Sequence, residues 1–137
     1  MPYQEPTHQD CLDILASVKT IALVGASENP ARPSHGVMKF LQSKGYHVIP
    51  VNPGLAEGEL LGETVYASVS DLPLVPDMVE IFRNSEAAGP ITDEAIAKGA
   101  KVVWMQLEVI NPEAAERALG AGLKVVMNRC PHIELGH

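Results

Sequence analysis

The sequence predicts an α/β fold, a doubly wound parallel sheet of five to six strands with helices on both faces. Three observations carry this reading. Short β-branched apolar runs recur along the chain, helical patterns separate them, and glycines stand where those helices should stop. Continuous apolar runs suit strands covered on both sides, as in a parallel sheet. Alternation of strand and helix with right-handed crossovers then gives the open, wound architecture.

Taken in order, Thr7 is placed to cap a first helix whose apolar face is Cys11, Leu12, Ile14, Leu15 and Val18. The first strand is the run from Thr20 to Val24, closed by Gly25. A helix from Ser34 to Lys44 puts Val37, Met38 and Leu41 on one side and stops at Gly45. Tyr46 to Val51 is the second strand, and Thr64 to Ala67 is a weaker run expected at an edge. Met78 to Phe82, Lys101 to Met105 and Leu123 to Met127 complete the sheet. Between them run helices from Ala87 to Lys98, before Gly99, and from Pro112 to Leu119, before Gly120. Asn111 and Pro112 form a helix start of the usual kind, with proline at the first helical position.

The 137 residues are expected to form one domain, 1–137. A chain of this size buries roughly two-thirds of its unfolded surface and needs no metal or disulfide staple. A net charge of −7 argues against nucleic-acid or anionic-membrane partners, which want a basic face. Cys11 and Cys130 are too far apart in sequence to suggest a metal site, and no metal ligands are read. Neither a signal peptide nor a membrane span is expected, which implies a soluble, cytoplasmic protein. A two-substrate ligase or dehydrogenase would want a second domain, for which this length leaves no room.

In an open parallel sheet, ligands bind outside the carboxyl ends of the strands. The residues just after the strands are therefore the candidates: Gly25 to His35, Asn52 and Pro53, Arg83 to Ser85, Gln106, and Asn128 to Cys130. Three of the four arginines, Arg32, Arg83 and Arg129, fall on this rim and no lysine does. Guanidinium forks on one edge, beside a helix start at Ser34, point to an anion site.

The first loop is neither a phosphate-binding Walker sequence nor the dinucleotide fingerprint, because Ser27 and Pro30 occupy the later glycine positions. Asn52 stands where a nicotinamide site would want an acid for the ribose. Two readings stay open on these residues: a degenerate loop that binds nothing, or a loop for a nucleotide with another phosphate pattern. In the second, Ser27, Arg32 and the amides around Ser34 cradle the phosphates, and neutral Asn52 tolerates an additional ribose phosphate.

The blocks Val24 to Ser34, Gly45 to Pro53, Trp104 to Gln106 and Asn128 to Pro131 resemble the stand-alone CoA-binding domain family. The same Rossmann-like fold forms the N-terminal part of the succinyl-CoA synthetase α subunit and of NDP-forming acyl-CoA synthetases. The resemblance runs from about Asp13 to Glu134. It implies that Gly25, Ala26, Ser27, Arg32 and Ser34 hold the phosphates of coenzyme A; His35, in the first turn of the helix after the loop, is a secondary candidate on its position alone. It places Asn52 and Pro53 by the adenosine, and Arg83, Gln106 and Cys130 along the rim, on the pantetheine side; Phe82 and Trp104, at strand ends on the same rim, are further binding candidates, Trp104 against adenine or pantetheine. Trp104 and Cys130 have plainer readings as core or pocket wall.

Two departures matter. The Pro53-Gly54-Leu55 turn lacks the lysine of the synthetase α subunit, so Arg32 is expected to supply that cation. The chain stops at His137, before the catalytic part of the synthetases would begin. The reading is therefore of a CoA or acyl-CoA binding domain with no catalytic residues of its own. The alternatives are a nicotinamide-dependent or acyl-transfer enzyme, or the CoA-binding half of a split synthetase with an ATP-grasp partner.

Overall fold

The computed structural model describes residues 2–136. Helix α1 (His8–Ser17) leads into strand β1 (Thr20–Val24), followed by α2 (Pro33–Ser43) and β2 (His47–Val51). A 3₁₀ turn (Pro53–Leu55) and a small hairpin, β3 (Glu59–Leu60) and β4 (Glu63–Thr64), come next. After a second 3₁₀ turn (Val69–Asp71) come β5 (Met78–Ile81), α3 (Ala88–Lys98), β6 (Val102–Met105), α4 (Pro112–Gly120), β7 (Lys124–Val126) and α5 (Pro131–Leu135). The main sheet has five strands in the order β2-β1-β5-β6-β7, all parallel.

Each strand is buried on both faces, which is why its sequence reads as a continuous apolar run. Ile21 and Leu23 of β1 join a core with Cys11, Leu15, Met38 and Leu41, under α1 and α2. Ala22 and Val24 face the other way, into a core with Ile91, Ala95, Ala115 and Ala118 from α3 and α4. The alanines let those two helices lie close to the sheet. Because the chain winds outward from β1 in both directions, the strand order reverses between β1 and β5. That crevice is where an open α/β sheet takes ligands.

The caps follow the residues. Thr7 and Asp10 form a reciprocal capping box on α1, and Asn111 Oδ1 accepts from Ala114 N at the start of α4. Gly45 and Gly99 take the left-handed conformation just past α2 and α3. At α4 the expected stop is displaced. Gly120 lies inside the helix, and Gly122 (φ 90°) makes the turn, with Leu123 N donating to Ala118 O (2.9 Å). Two apolar alanine turns outlast one glycine, since a single helical glycine costs only about 1 kcal/mol.

The sixth strand is also corrected. Thr64 to Ala67 forms no edge strand. Thr64 ends the hairpin, and Tyr66 makes a single parallel bridge to Val51. Tyr66 N donates to Pro50 O (3.1 Å) and Tyr66 O accepts from Asn52 N (2.9 Å), which covers the end of β2. Helix α5, which the sequence reading omits, begins at Pro131 and is pinned to α2 by a stacked Phe40–His132 pair with ring centres 3.8 Å apart. Among the described residues no helix is long and apolar enough to cross a membrane, and no group of three potential ligands forms a metal site.

Candidate functional site

A cavity of about 1080 Å³ opens at the carboxyl ends of β1, β2, β5 and β6. The turn after β1 is its floor. Gly25 is left-handed (φ 92°), and a Cβ there would lie 2.1 Å from Phe82 O, so the ends of β1 and β5 touch only because this residue has no side chain. Ser27 Oγ accepts from Asn29 N (3.1 Å) and Asn29 Oδ1 accepts from Ala31 N (3.0 Å), so short polar side chains shape the following loop.

The loop delivers Arg32 and Pro33 to the start of α2. No side chain caps this helix and no acid lies in its first turn, so its positive end faces the cavity where Pro33 and buried Ser34 line the wall. Asn52 ties the neighbouring turn to this loop. Its Nδ2 donates to Ala26 O (2.7 Å) and its Oδ1 accepts from Gly54 N (2.8 Å). Both ends of the amide are engaged within the protein, which makes Asn52 a brace between two loops.

The opposite wall comes from β5 and β6. Phe82, Arg83 and Asn84 follow β5, and Gln106 to Val109 follow β6. Gln106 is 7% exposed, and its Oε1 has no hydrogen-bond donor within reach. The segment behind it is fixed. Glu108 N donates to Asn128 Oδ1 (2.7 Å), Ser85 Oγ accepts from Ile110 N (2.9 Å), and Asn111 Nδ2 donates to Ser85 O (2.9 Å). Leu107 stays 45% exposed beside the cavity, an apolar lip.

The structure thus brings together Gly25, Ala26, Ser27, Arg32, Ser34, Asn52, Pro53, Phe82, Arg83 and Gln106. It separates three other candidates from them. Trp104 is fully buried in the core, outside the cavity lining, and its Nε1 donates to Arg129 O (2.8 Å). Cys130 is 6% exposed and packed in the same core, outside the cavity. His35 follows Ser34 on α2 but is not part of the cavity wall. The rim arginine Arg129 is likewise turned away: Nη1 donates to Glu134 Oε1 (3.0 Å) and Nη2 to Pro6 O (2.6 Å). Pro33 and Asn84, which lie within the candidate segments, also line the cavity, as do Leu107, Glu108 and Val109, which the sequence did not mark. The last three follow Gln106 directly, so the segment after β6 forms cavity wall for four residues past the strand.

The cavity, with Gly25 at its floor and Arg32 and Arg83 in its lining, lies at the switch point of a parallel sheet, where open α/β domains take their ligands. The chain belongs to the CoA binding domain family, whose pattern it matches over residues 19–136. It is 36% identical over 134 residues to YneT, an uncharacterized protein of Bacillus subtilis, spanning 98% of this chain and 96% of that one. It is 34% identical over 96 residues to the α subunit of acetate–CoA ligase [ADP-forming] I of Pyrococcus furiosus, covering 67% of this chain but 21% of the subunit. A solved structure of a hypothetical protein from Pyrococcus horikoshii OT3 superposes with a TM-score of 0.90 at 43% identity, over 99% and 97% of the two chains.

Proposed function

We propose that the cavity binds coenzyme A or an acyl-CoA, and that the chain performs no ligase chemistry of its own. The observation that carries this is the uncapped, acid-free start of α2 opening onto the cavity beside Arg32, in a member of the CoA binding domain family. Backbone N–H groups and the helix dipole favour phosphate at that position. The far wall suits the pantetheine arm. The Gln106 amide lacks a partner for Oε1, and a secondary amide of the arm offers both an N–H and a carbonyl to a primary amide. Leu107, Val109 and Phe82 supply apolar contact alongside.

β2 and β6 are three strand spacings apart, roughly 14 Å, which allows an extended ligand to run from the Asn52 turn to Gln106. Cys130 is sealed away from the cavity, which argues against thiol chemistry with the ligand. Thermal unfolding tests the reading. Coenzyme A at about a hundred times its Kd should stabilise the protein by about 2.7 kcal/mol. A shift with NAD or NADPH and none with coenzyme A would overturn it. A second reading, the CoA-binding half of a split synthetase, is favoured by the likeness to the Pyrococcus furiosus ligase subunit. Co-purification with an ATP-grasp protein would support that form.

A further inference from the structure

The four arginines are of two kinds. Arg117 donates to Asp93 (Nε to Oδ1, 2.9 Å), and Arg129 to Glu134 (3.0 Å). Arg32 and Arg83, the two that line the cavity, have no carboxylate within ion-pair distance among the described residues. In an acidic chain of net charge −7, the unpaired guanidiniums are thus the two that face this space.

Their placement gives them a common target. Arg83 follows β5, yet its stem crosses to the turn after β1: its Cδ lies 3.2 Å from where a Cβ on Gly25 would sit. The last carbon of its stem therefore lies against the first residue of the 25–34 loop. Arg32 stands at the other end of that loop, immediately before α2. The loop thus has an arginine at each end, Arg83 against Gly25 and Arg32 next to the α2 start.

We infer that Arg32 and Arg83 form a two-sided clamp on the diphosphate of the ligand, so that Arg83 reads phosphate and not the pantetheine arm. The inference rests on the CoA reading above. Each guanidinium offers a planar pair of N–H donors that matches two oxygens of one phosphoryl group. A diphosphate diester carries two such groups side by side, one for each fork. The missing lysine after Pro53 is then made good from β5 as well as from the loop.

The test is titration calorimetry of the whole chain with coenzyme A and with 3′-dephospho-CoA, at two or more salt concentrations. Arg83→Met keeps the apolar stem on Gly25 and removes the charge, so the ligand-free protein should melt as the wild type does. Its affinity should fall roughly ten- to hundredfold for both ligands, with a flatter salt dependence. Arg83→Lys should restore only part of the loss, because an ammonium is a point charge without a fork. Arg32→Met should behave alike, and the double variant should depart from additivity, as partners on one group do.

An Arg83→Met protein that binds both ligands like the wild type overturns the clamp. So does a loss with unchanged salt dependence, or one confined to coenzyme A, which would mark Arg83 as a packing residue or a reader of the 3′-phosphate. A wild type that binds neither ligand defeats the CoA reading itself, a result distinct from all of these.

Discussion

Glu80 occupies the middle of β5, in register with Leu23 of β1 and Trp104 of β6, and is completely buried. Neither carboxylate oxygen has a hydrogen-bond partner, and desolvation holds the carboxyl well above its ordinary value of 4.5. The folded protein therefore keeps a proton that the unfolded chain gives up as pH rises through that value. Stability must then fall with increasing pH from there upward, at up to about 1.4 kcal/mol per pH unit from this group. Glu80→Gln should unfold at a higher temperature than the wild type at neutral pH, and the difference should shrink towards pH 4.5. Melting curves across pH decide it; parallel curves would mean that Glu80 finds a partner in the fold. In the sequence this residue is a charge inside an apolar run, and the run's period assigns the strand correctly while hiding the cost. Trp104 shows the converse. Its position at a strand end was legible, but the face it takes depends on pairing with β5 and β7, which no local pattern reveals.

The 25–34 loop, the Asn52 turn and the start of α2 function as one element, and Asn52 holds them together through Ala26 O and Gly54 N. The sequence marked Asn52 as a ligand contact because it follows a strand on the binding rim. Its engagement by two backbone groups could not be read locally, since Ala26 is 26 residues away. The two roles predict different experiments. A brace contributes to the ligand-free fold, so Asn52→Ala should cost about 1–2 kcal/mol in apo stability, with weaker CoA binding following from the loosened loop. A ligand contact alone would leave apo unfolding unchanged. Calorimetric unfolding without ligand separates them. Elsewhere the elements were read well where a local rule applied: Thr7 and Asn111 cap as their spacing predicts. The weak Thr64–Ala67 run failed as a strand because Tyr66 reaches β2 for one bridge only.

Over the whole molecule, the two ends of the chain meet at the β7 side of the sheet. Tyr3 Oη accepts from Met127 N (2.9 Å), and Pro6 O accepts from Arg129 Nη2. Glu134 of α5 accepts from Arg129 Nη1 at 3.0 Å and has His8 Nδ1 3.1 Å away. Three of these contacts, those of Tyr3, Pro6 and His8, span more than 120 residues in sequence. They explain why the rim rule placed Arg129 with Arg32 and Arg83 although its head serves the termini. Glu134 is 7% exposed, so removing it leaves a guanidinium with one carbonyl and the outlying Glu5 (3.7 Å) for partners. Glu134→Ala should therefore cost about 1–3 kcal/mol of stability, the usual penalty for orphaning a charged, partly buried donor. It should leave CoA affinity within roughly twofold of the wild type, because no residue of this cluster lines the cavity. Unfolding and titration on the same preparation check both halves. A large loss of affinity at temperatures where the variant is fully folded would return Arg129 to the binding site, and would mean that closing the termini and filling the cavity are one event.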